Sequence, residues 1–307
     1  MKRLRLLAIS SGVVFLSAAG CLAQPDDCFA FVRRGDVMLN CAGERTQVTH
    51  QGNVSRFAVS DDEAVLGFVA RMANKVEKTI VIDLRSGTTK SLPRGGSIVS
   101  TCGGLFWLTG PDRAHSDPFE LFTGKTIGTL PYRWFRCSSD RSSVIGTETS
   151  SGSDLFRTKG LSQGVKIADA KTFDIFRLNI SPSGSWIAFS TESRPLCAVS
   201  YEGVLVCNKE LGASPDLPSV SDTGGVLVAT STDEECYFAN DSNFDTAPFA
   251  ASQKVPADAC LGIAYWKPGD GTGRILEPIG RNPQWINNKT ARLIREWASK
   301  TAGVGQK

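Results

Sequence analysis

Histidine is nearly absent from this 307-residue chain, which has only His50 and His115. Imidazole-based metal centres are therefore poorly provided for, and no Cys-x-x-Cys pair makes up the shortfall. No Gly-x-Ser-x-Gly element occurs, so the usual strand-to-helix nucleophile turn is missing. The Gly-rich run from Lys267 to Gly273 has no Lys-Ser/Thr pair after it, which argues against a phosphate loop and leaves a wide hairpin turn. No run of basic residues suggests a nucleic-acid partner. Beyond the first residues there is no long apolar run, so nothing later reads as a membrane-spanning helix.

What is present begins with MKRLRLLAISSGVVFLSAAGCLAQ. Lys2, Arg3 and Arg5 precede an apolar stretch from Leu6 to Ala18 and then small residues, the layout of a bacterial-type secretory signal. Two cleavage readings stand. Ala18-Ala19-Gly20-Cys21 resembles a relaxed lipobox, which would end the signal at residue 20 and put lipid on Cys21. Cys21-Leu22-Ala23 before Gln24 would instead suit the ordinary signal peptidase and end it at residue 23. Residues 21–307 are expected to form one domain, in the periplasm or on the cell surface. Three of the 34 basic residues lie in the signal, so 31 remain against 31 acidic ones, and the mature chain is neutral.

Hairpins recur along that domain. Ile180 to Ser193, ISPSGSWIAFSTES, sets a Ser-led turn between two apolar pieces. Arg56–Ala70, Trp134–Glu148 and Leu217–Ser231 share the plan, with divergent copies at Gly96–Gly110 and Asn282–Glu296. Taking Ser60, Ser100, Ser138, Ser181, Ser221 and Asn287 as markers, the steps are 40, 38, 43, 40 and 66 residues. Periods near 40 with several short strands per unit indicate propeller blades, and the alternating pattern excludes a helical solenoid. A second hairpin reads at Asp36–His50, Thr79–Pro93 and Ala264–Pro278. Two hairpins make one four-stranded blade. Such a blade is stable only between neighbours, so the ring must close.

The ends suggest how it closes. Strands begin at Phe29 without a first strand of their own, and the chain ends on the Asn287 marker. N- and C-terminal strands are expected to share one blade of a six-bladed, all-β propeller. The ARLIREWA segment reads either as strand or as a short helix with Leu293, Ile294 and Trp297 inward. The long step is restored to period by treating about 236–260 as an inserted loop, with Cys236 and Cys260 stapling its ends.

The other cysteines follow from hairpin arithmetic. Apart from Cys21, eight remain, an even number suited to an oxidising compartment. Cys28 and Cys41 are symmetric about Arg34-Gly35. Cys197 and Cys207 are symmetric about Glu202, with Gly203 in the left-handed position. Cys102 and Cys137 then fall near the marker turns of adjacent blades.

ISPSGSWIAFS and Arg45–Gly52, RTQVTHQG, resemble the repeat pattern of the TolB-type six-bladed propellers of the bacterial periplasm, relatives of the WD-repeat propellers. Ser183 stands where that pattern has Asp. The resemblance implies the fold and an envelope setting and carries over no partner.

The remaining motifs are weak. Asp241, Asn243 and Asp245 alternate like calcium ligands, but Thr246 and Ser252 occupy the positions that need Gly and Glu, so no cofactor is expected and calcium is the one metal the loop suggests. A serine-type site would have to use His115 with Asp112 or Asp117. Asp61-Asp62 and Glu234-Glu235 read as solvated turns. Trp107, Trp134, Trp186, Trp266 and Trp285 read as packing between blades. No catalytic residues are assigned. The expected function is non-catalytic binding of an envelope protein or small ligand on one rim, with Phe238, Asp241, Asn243, Phe244 and Asp245 as the candidate binding loop. The competing expectation is a hydrolase or lyase acting on sugars, with acidic residues around the central channel.

Overall fold

Alternation gives each strand two faces, and here both faces are covered. The computed structural model describes residues 28–72, 76–92, 97–108, 119–120, 134–147, 154–159, 165–168, 175–191, 195–211, 217–231 and 261–302. Strands β1 (Cys28–Arg33), β2 (Asp36–Cys41) and β3 (Glu44–Gln47) form a meander. Next come β4 (Val54–Ser60), β5 (Val65–Arg71), β6 (Glu77–Asp83) and β7 (Thr89–Leu92). A sheet of three strands among the described residues follows: β8 (Ser97–Thr101), β9 (Gly104–Leu108) and β10 (Phe119–Glu120). The fourth sheet is β11 (Trp134–Cys137), β12 (Ser143–Thr147), β13 (Leu155–Lys159) and β14 (Val165–Ala168). The fifth is β15 (Ile175–Ile180), β16 (Trp186–Thr191), β17 (Leu196–Ser200) and β18 (Leu205–Asn208). The last in sequence is β19 (Ser219–Val220), β20 (Val226–Ser231), β21 (Leu261–Trp266) and β22 (Arg274–Glu277). Finally β23 (Arg281–Ile286) pairs antiparallel with β1, setting Trp285 opposite Phe29, so the order β23-β1-β2-β3 joins the two ends of the domain.

The chain is therefore an all-β propeller with four-stranded antiparallel blades, one of them shared by N- and C-terminal strands. The first strands lie side by side: β23 by β4, β4 by β8, β11 by β15, β15 by β19, and β19 by β23. The Cys102–Cys137 disulfide joins the β8 turn to β11. The apolar core is divided between the sheets. On β16, Ile187 and Phe189 pack toward the β11 sheet with Ile145 and Leu155. Ala188, pointing the other way, packs with Val226, Val228 and Trp266 of the β19 sheet. Strand β5 is continuously apolar for the same reason: Leu66 and Phe68 face the shared blade, and Val65 and Val69 face Ile98 and Leu105.

Two of the turns need glycine. Gly224 has φ +83°, and a Cβ there would lie 2.8 Å from the Trp186 ring of the preceding sheet. Gly103 has φ +74°, and its Cβ would lie 2.6 Å from the Ser139 carbonyl. Only a residue without Cβ takes this backbone at such close approach.

One expected hairpin is corrected. Asn287 is not a turn between strands but the N-cap of helix α1 (Asn288–Thr301), its side chain accepting from the Thr290 N–H at 2.8 Å. Ala291, Ile294 and Ala298 are buried, and Leu293 and Trp297 pack on the core beside them. The ARLIREWA segment is thus helical, and the C-terminal part adds one strand to the shared blade.

Candidate binding site on the propeller axis

Three of the four expected cysteine pairs form. Cys28 faces Cys41 across β1–β2 and Cys197 faces Cys207 across β17–β18, both in the register read from hairpin symmetry. Gly203 has φ 87°, as the three-residue loop requires. Cys102–Cys137 ties successive sheets together. Cys21, Cys236, Cys260 and the loop residues Phe238, Asp241, Asn243, Phe244 and Asp245 lie outside the described residues, as do Asp112, His115 and Asp117. The insertion's flanks are described: Ser231 and Leu261 are cross-strand partners at the ends of β20 and β21.

The Ser-led turns are joined in a ring. Asn287 N–H donates to Asp61 at 3.1 Å, Ser60 Oγ to the Gly103 carbonyl at 3.2 Å, and Arg141 Nε to the Cys102 carbonyl at 2.9 Å. Ser139 N–H donates to the Pro182 carbonyl at 2.7 Å, and Ser183 N–H to Asp222 Oδ1 at 2.8 Å. Trp285 Nε1 donates to the Gly225 carbonyl at 3.0 Å and completes the circuit. Backbone groups at this rim thereby find partners on neighbouring sheets.

Toward the axis, each first strand has one unpaired edge. In an antiparallel ladder alternate residues direct N–H and C=O to the partner strand. Ser138 N–H bonds Ser143 on the β12 side, so Phe135 and Cys137 direct their groups the other way. Cys137 accordingly bonds Thr101 Oγ1 through its N–H and Cys102 N–H through its carbonyl. The Phe135 carbonyl on that same edge is taken by Arg136 Nη1 at 2.7 Å. Arg136 is 3% exposed and has no carboxylate partner among the described residues. Burial alone pushes its guanidinium down to about 10. An unpaired buried ion costs several kcal/mol.

Other first strands repeat the residue type. The register shift in β4 leaves Ser55 without a ladder partner, and its carbonyl accepts from Arg281 Nη2 at 3.1 Å. Arg281 Nε is buried and has no hydrogen-bond partner among the described residues. Arg56 and Arg177 lie on β4 and β15 and have partners of their own. Strands β4, β8, β11, β15, β19 and β23 carry no Asp or Glu. Sequence reading missed these arginines, although each lies two, four or six residues before its marker.

Polar residues elsewhere join sheets. Glu277, fully buried, accepts from Asn40 Nδ2 at 2.5 Å and Arg45 Nε at 2.8 Å, pinning β22 to the shared blade. The hydrogen bond and charge of Glu277 raise the Arg45 pKa further. Arg157 stacks 4.4 Å over the Tyr201 ring and donates to the Gly184 carbonyl. His50 lies three residues beyond β3, in an open cleft of about 370 Å³ lined also by Phe68 and Trp297. Trp266 and Trp285 are buried between sheets, and Trp186 packs on Gly224.

No protein-family model matches the chain, and no curated protein does. Among solved structures, TolB from Acinetobacter baumannii is similar with a TM-score of 0.55 and 14% identity, over 85% of this chain and 66% of that one. The chain thus spans just under two thirds of TolB's length. The propeller domain of Myceliophteria thermophila Cps50 (Swd1) follows with a TM-score of 0.46 and 12% identity, over 87% of this chain and 92% of that one. At 14% identity the likeness to TolB concerns the fold alone.

Proposed function

We propose that this chain is an exported, non-catalytic binding protein, a TolB-like propeller of six blades that holds an envelope protein or small ligand on one rim. The three-stranded β8–β10 sheet is read as the sixth blade. In this reading residues 1–20 or 1–23 are removed on export, with lipid on Cys21 in the first case, and Cys236 bridges Cys260. No cofactor is invoked. Three disulfides agree with an oxidising compartment.

The observation that carries the proposal is the pairing of Ser231 with Leu261. It lets a 29-residue segment, 232–260, rise from a single point on a scaffold whose opposite rim is latched by the ring of turns. Binding groups on loops held by a rigid frame are the common arrangement. The sugar-enzyme alternative needs carboxylates around the axis, where the first strands supply arginines.

The test compares the full chain with a variant in which residues 238–259 are replaced by a short Gly-Ser bridge. Both are expressed with the leader, crosslinked in cells and purified under denaturing conditions. The full chain is expected to carry an adduct that the variant lacks. Equal adducts would overturn the assignment to the insertion. Intact mass of the mature chain decides between a lipidated Cys21 and a Gln24 N-terminus.

A further inference from the structure

The two sides of helix α1 differ in kind. Ala291, Ile294 and Ala298 are buried on the shared blade with Leu293 and Trp297 beside them, so the apolar side is already committed. On the outward side Lys289, Arg292, Glu296 and Lys300 are all exposed. They follow one another at three- and four-residue steps, which sets them in one line along the helix. Arg295 flanks that line. The helix thus holds four basic residues against one acidic one, in a mature chain with 31 of each. Two acidic groups at the helix are engaged by it: Glu296 pairs with Arg292 at 3.7 Å, and Asp61 accepts from the Asn287 N–H at 3.1 Å.

The position of the helix matters as much as its charge. Cys28 Sγ, at the start of β1, lies 3.5 Å from Asn288 Oδ1, at the start of α1. Cys21, the residue that the lipobox reading acylates, precedes Cys28 by seven residues, a reach of at most about 25 Å. The helix itself is about 21 Å long. It runs from Asn288 toward the far end of the β1–β2 hairpin, where Trp297 and Thr301 line a cleft with Val48 and the Val48 N–H bonds the Val37 carbonyl. A bilayer holding Cys21 is therefore within reach of the basic line.

We infer that the outward face of α1 is a docking surface for a membrane of anionic lipid, with Lys289, Arg292 and Lys300 as its headgroup contacts. Because the apolar face is buried in the propeller, the helix rests at headgroup level and attraction comes from charge alone. Cations spread over about 17 Å of a convex surface meet a plane of headgroups together. Each Lys or Arg near such a surface strengthens binding about fivefold, and the effect fades within a Debye length. A lipid anchor fixes one point of a protein, and a basic patch beside it supplies the second contact that turns this side to the bilayer. The anchor half of the argument rests on the lipidated reading of Cys21 given under Proposed function, whereas the charge half stands on the helix by itself.

The experiment is co-sedimentation of the unlipidated mature chain, residues 24–307, with vesicles at low ionic strength. One set is phosphatidylcholine alone, and the other contains about one third phosphatidylglycerol. The anionic vesicles are expected to bind at least tenfold more strongly, and the difference should vanish at about 0.5 M salt. Lys289→Gln/Arg292→Gln/Lys300→Gln should weaken binding about a hundredfold, while Lys289→Arg/Lys300→Arg should keep it within twofold. Lys166→Gln/Lys209→Gln/Lys267→Gln, at exposed positions on other blades, should also stay within twofold. Equal binding to the two vesicle types overturns the inference, as does equal weakening by the two Gln triples. Binding of polyglutamate without binding of vesicles overturns it in favour of an acidic protein. Intact mass of the chain from cells tests Cys21 separately, so failure of the anchor reading and failure of the docking face are told apart.

Discussion

Gln284 completes the unpaired edge of β4: its side-chain amide donates to the Val59 carbonyl at 2.6 Å and accepts from the Val59 N–H at 2.8 Å. The two residues are 225 positions apart in sequence. A primary amide is the one side chain that both donates and accepts in this geometry, so it imitates a neighbouring strand. Through this pair the last strand engages the second sheet as well as β1.

Gln284→Ala removes both bonds and strands two backbone groups beside fully buried Val59. The expected loss is about 2–3 kcal/mol, because an unmet buried donor or acceptor costs more than the bond it replaces. Urea unfolding followed by intrinsic fluorescence measures it. A loss under about 0.5 kcal/mol would mean that water satisfies the edge equally well.

The disulfides should differ in their effect according to the chain they enclose. Cys197–Cys207 spans 10 residues within one hairpin, and Cys102–Cys137 spans 35 between sheets. Loop-closure entropy predicts about 3 kcal/mol for the first and about 4 kcal/mol for the second. Paired Cys→Ser variants, unfolded with the other bridges intact, give these values directly. Equal losses would show that strain or residual structure outweighs loop length.

Much of this arrangement was legible before any coordinates. Period-two alternation fixes which residues oppose one another, so two cysteine pairs could be placed by symmetry about Arg34-Gly35 and Glu202. The Ser-led turns were legible because serine hydroxyls close them locally, as Ser181 Oγ does for the Trp186 N–H. Asn287 misled for the same reason: a short polar side chain suits a turn and an N-cap alike. Only packing of Ala291 and Ile294 on the shared blade decides for the helix. The contacts of Arg136 with the Phe135 carbonyl and of Arg281 with the Ser55 carbonyl were not legible, since the free strand edges they meet appear only once the sheets stand side by side.

Gly224→Ala tests the approach between sheets at the turn rim. The new methyl group meets the Trp186 ring at 2.8 Å, and the backbone must keep φ +83°. Strain of this kind costs about 1–3 kcal/mol. Gly203→Ala is the matched control, with φ +87° and nothing within 4 Å of the added Cβ. The difference between the two variants isolates the ring contact. A double variant with Trp186→Leu should recover part of the loss, and no recovery would place the cost in the backbone alone.

Acid should loosen the Asp140 turn at a defined point. Ser138 Oγ donates to Asp140 Oδ1 at 2.6 Å, and the Ser142 N–H and Oγ donate to it at 2.9 and 2.8 Å. These bonds, that of Ser138 first, hold the carboxyl at about 2 against an ordinary value of 3.8. A depressed carboxyl contributes stability that is present above its unfolded value and is lost as pH falls toward the folded one. The contribution should therefore be complete above pH ~5 and be lost progressively down to pH ~1, below both values. Titration of the side-chain carbonyl carbon by NMR should show a midpoint near 2, and Ser138→Ala should move it toward 3.8. A midpoint already near 3.8 in the unmodified chain would mean that these hydroxyls turn to water in solution, leaving the Ser139–Pro182 bond to hold that part of the rim.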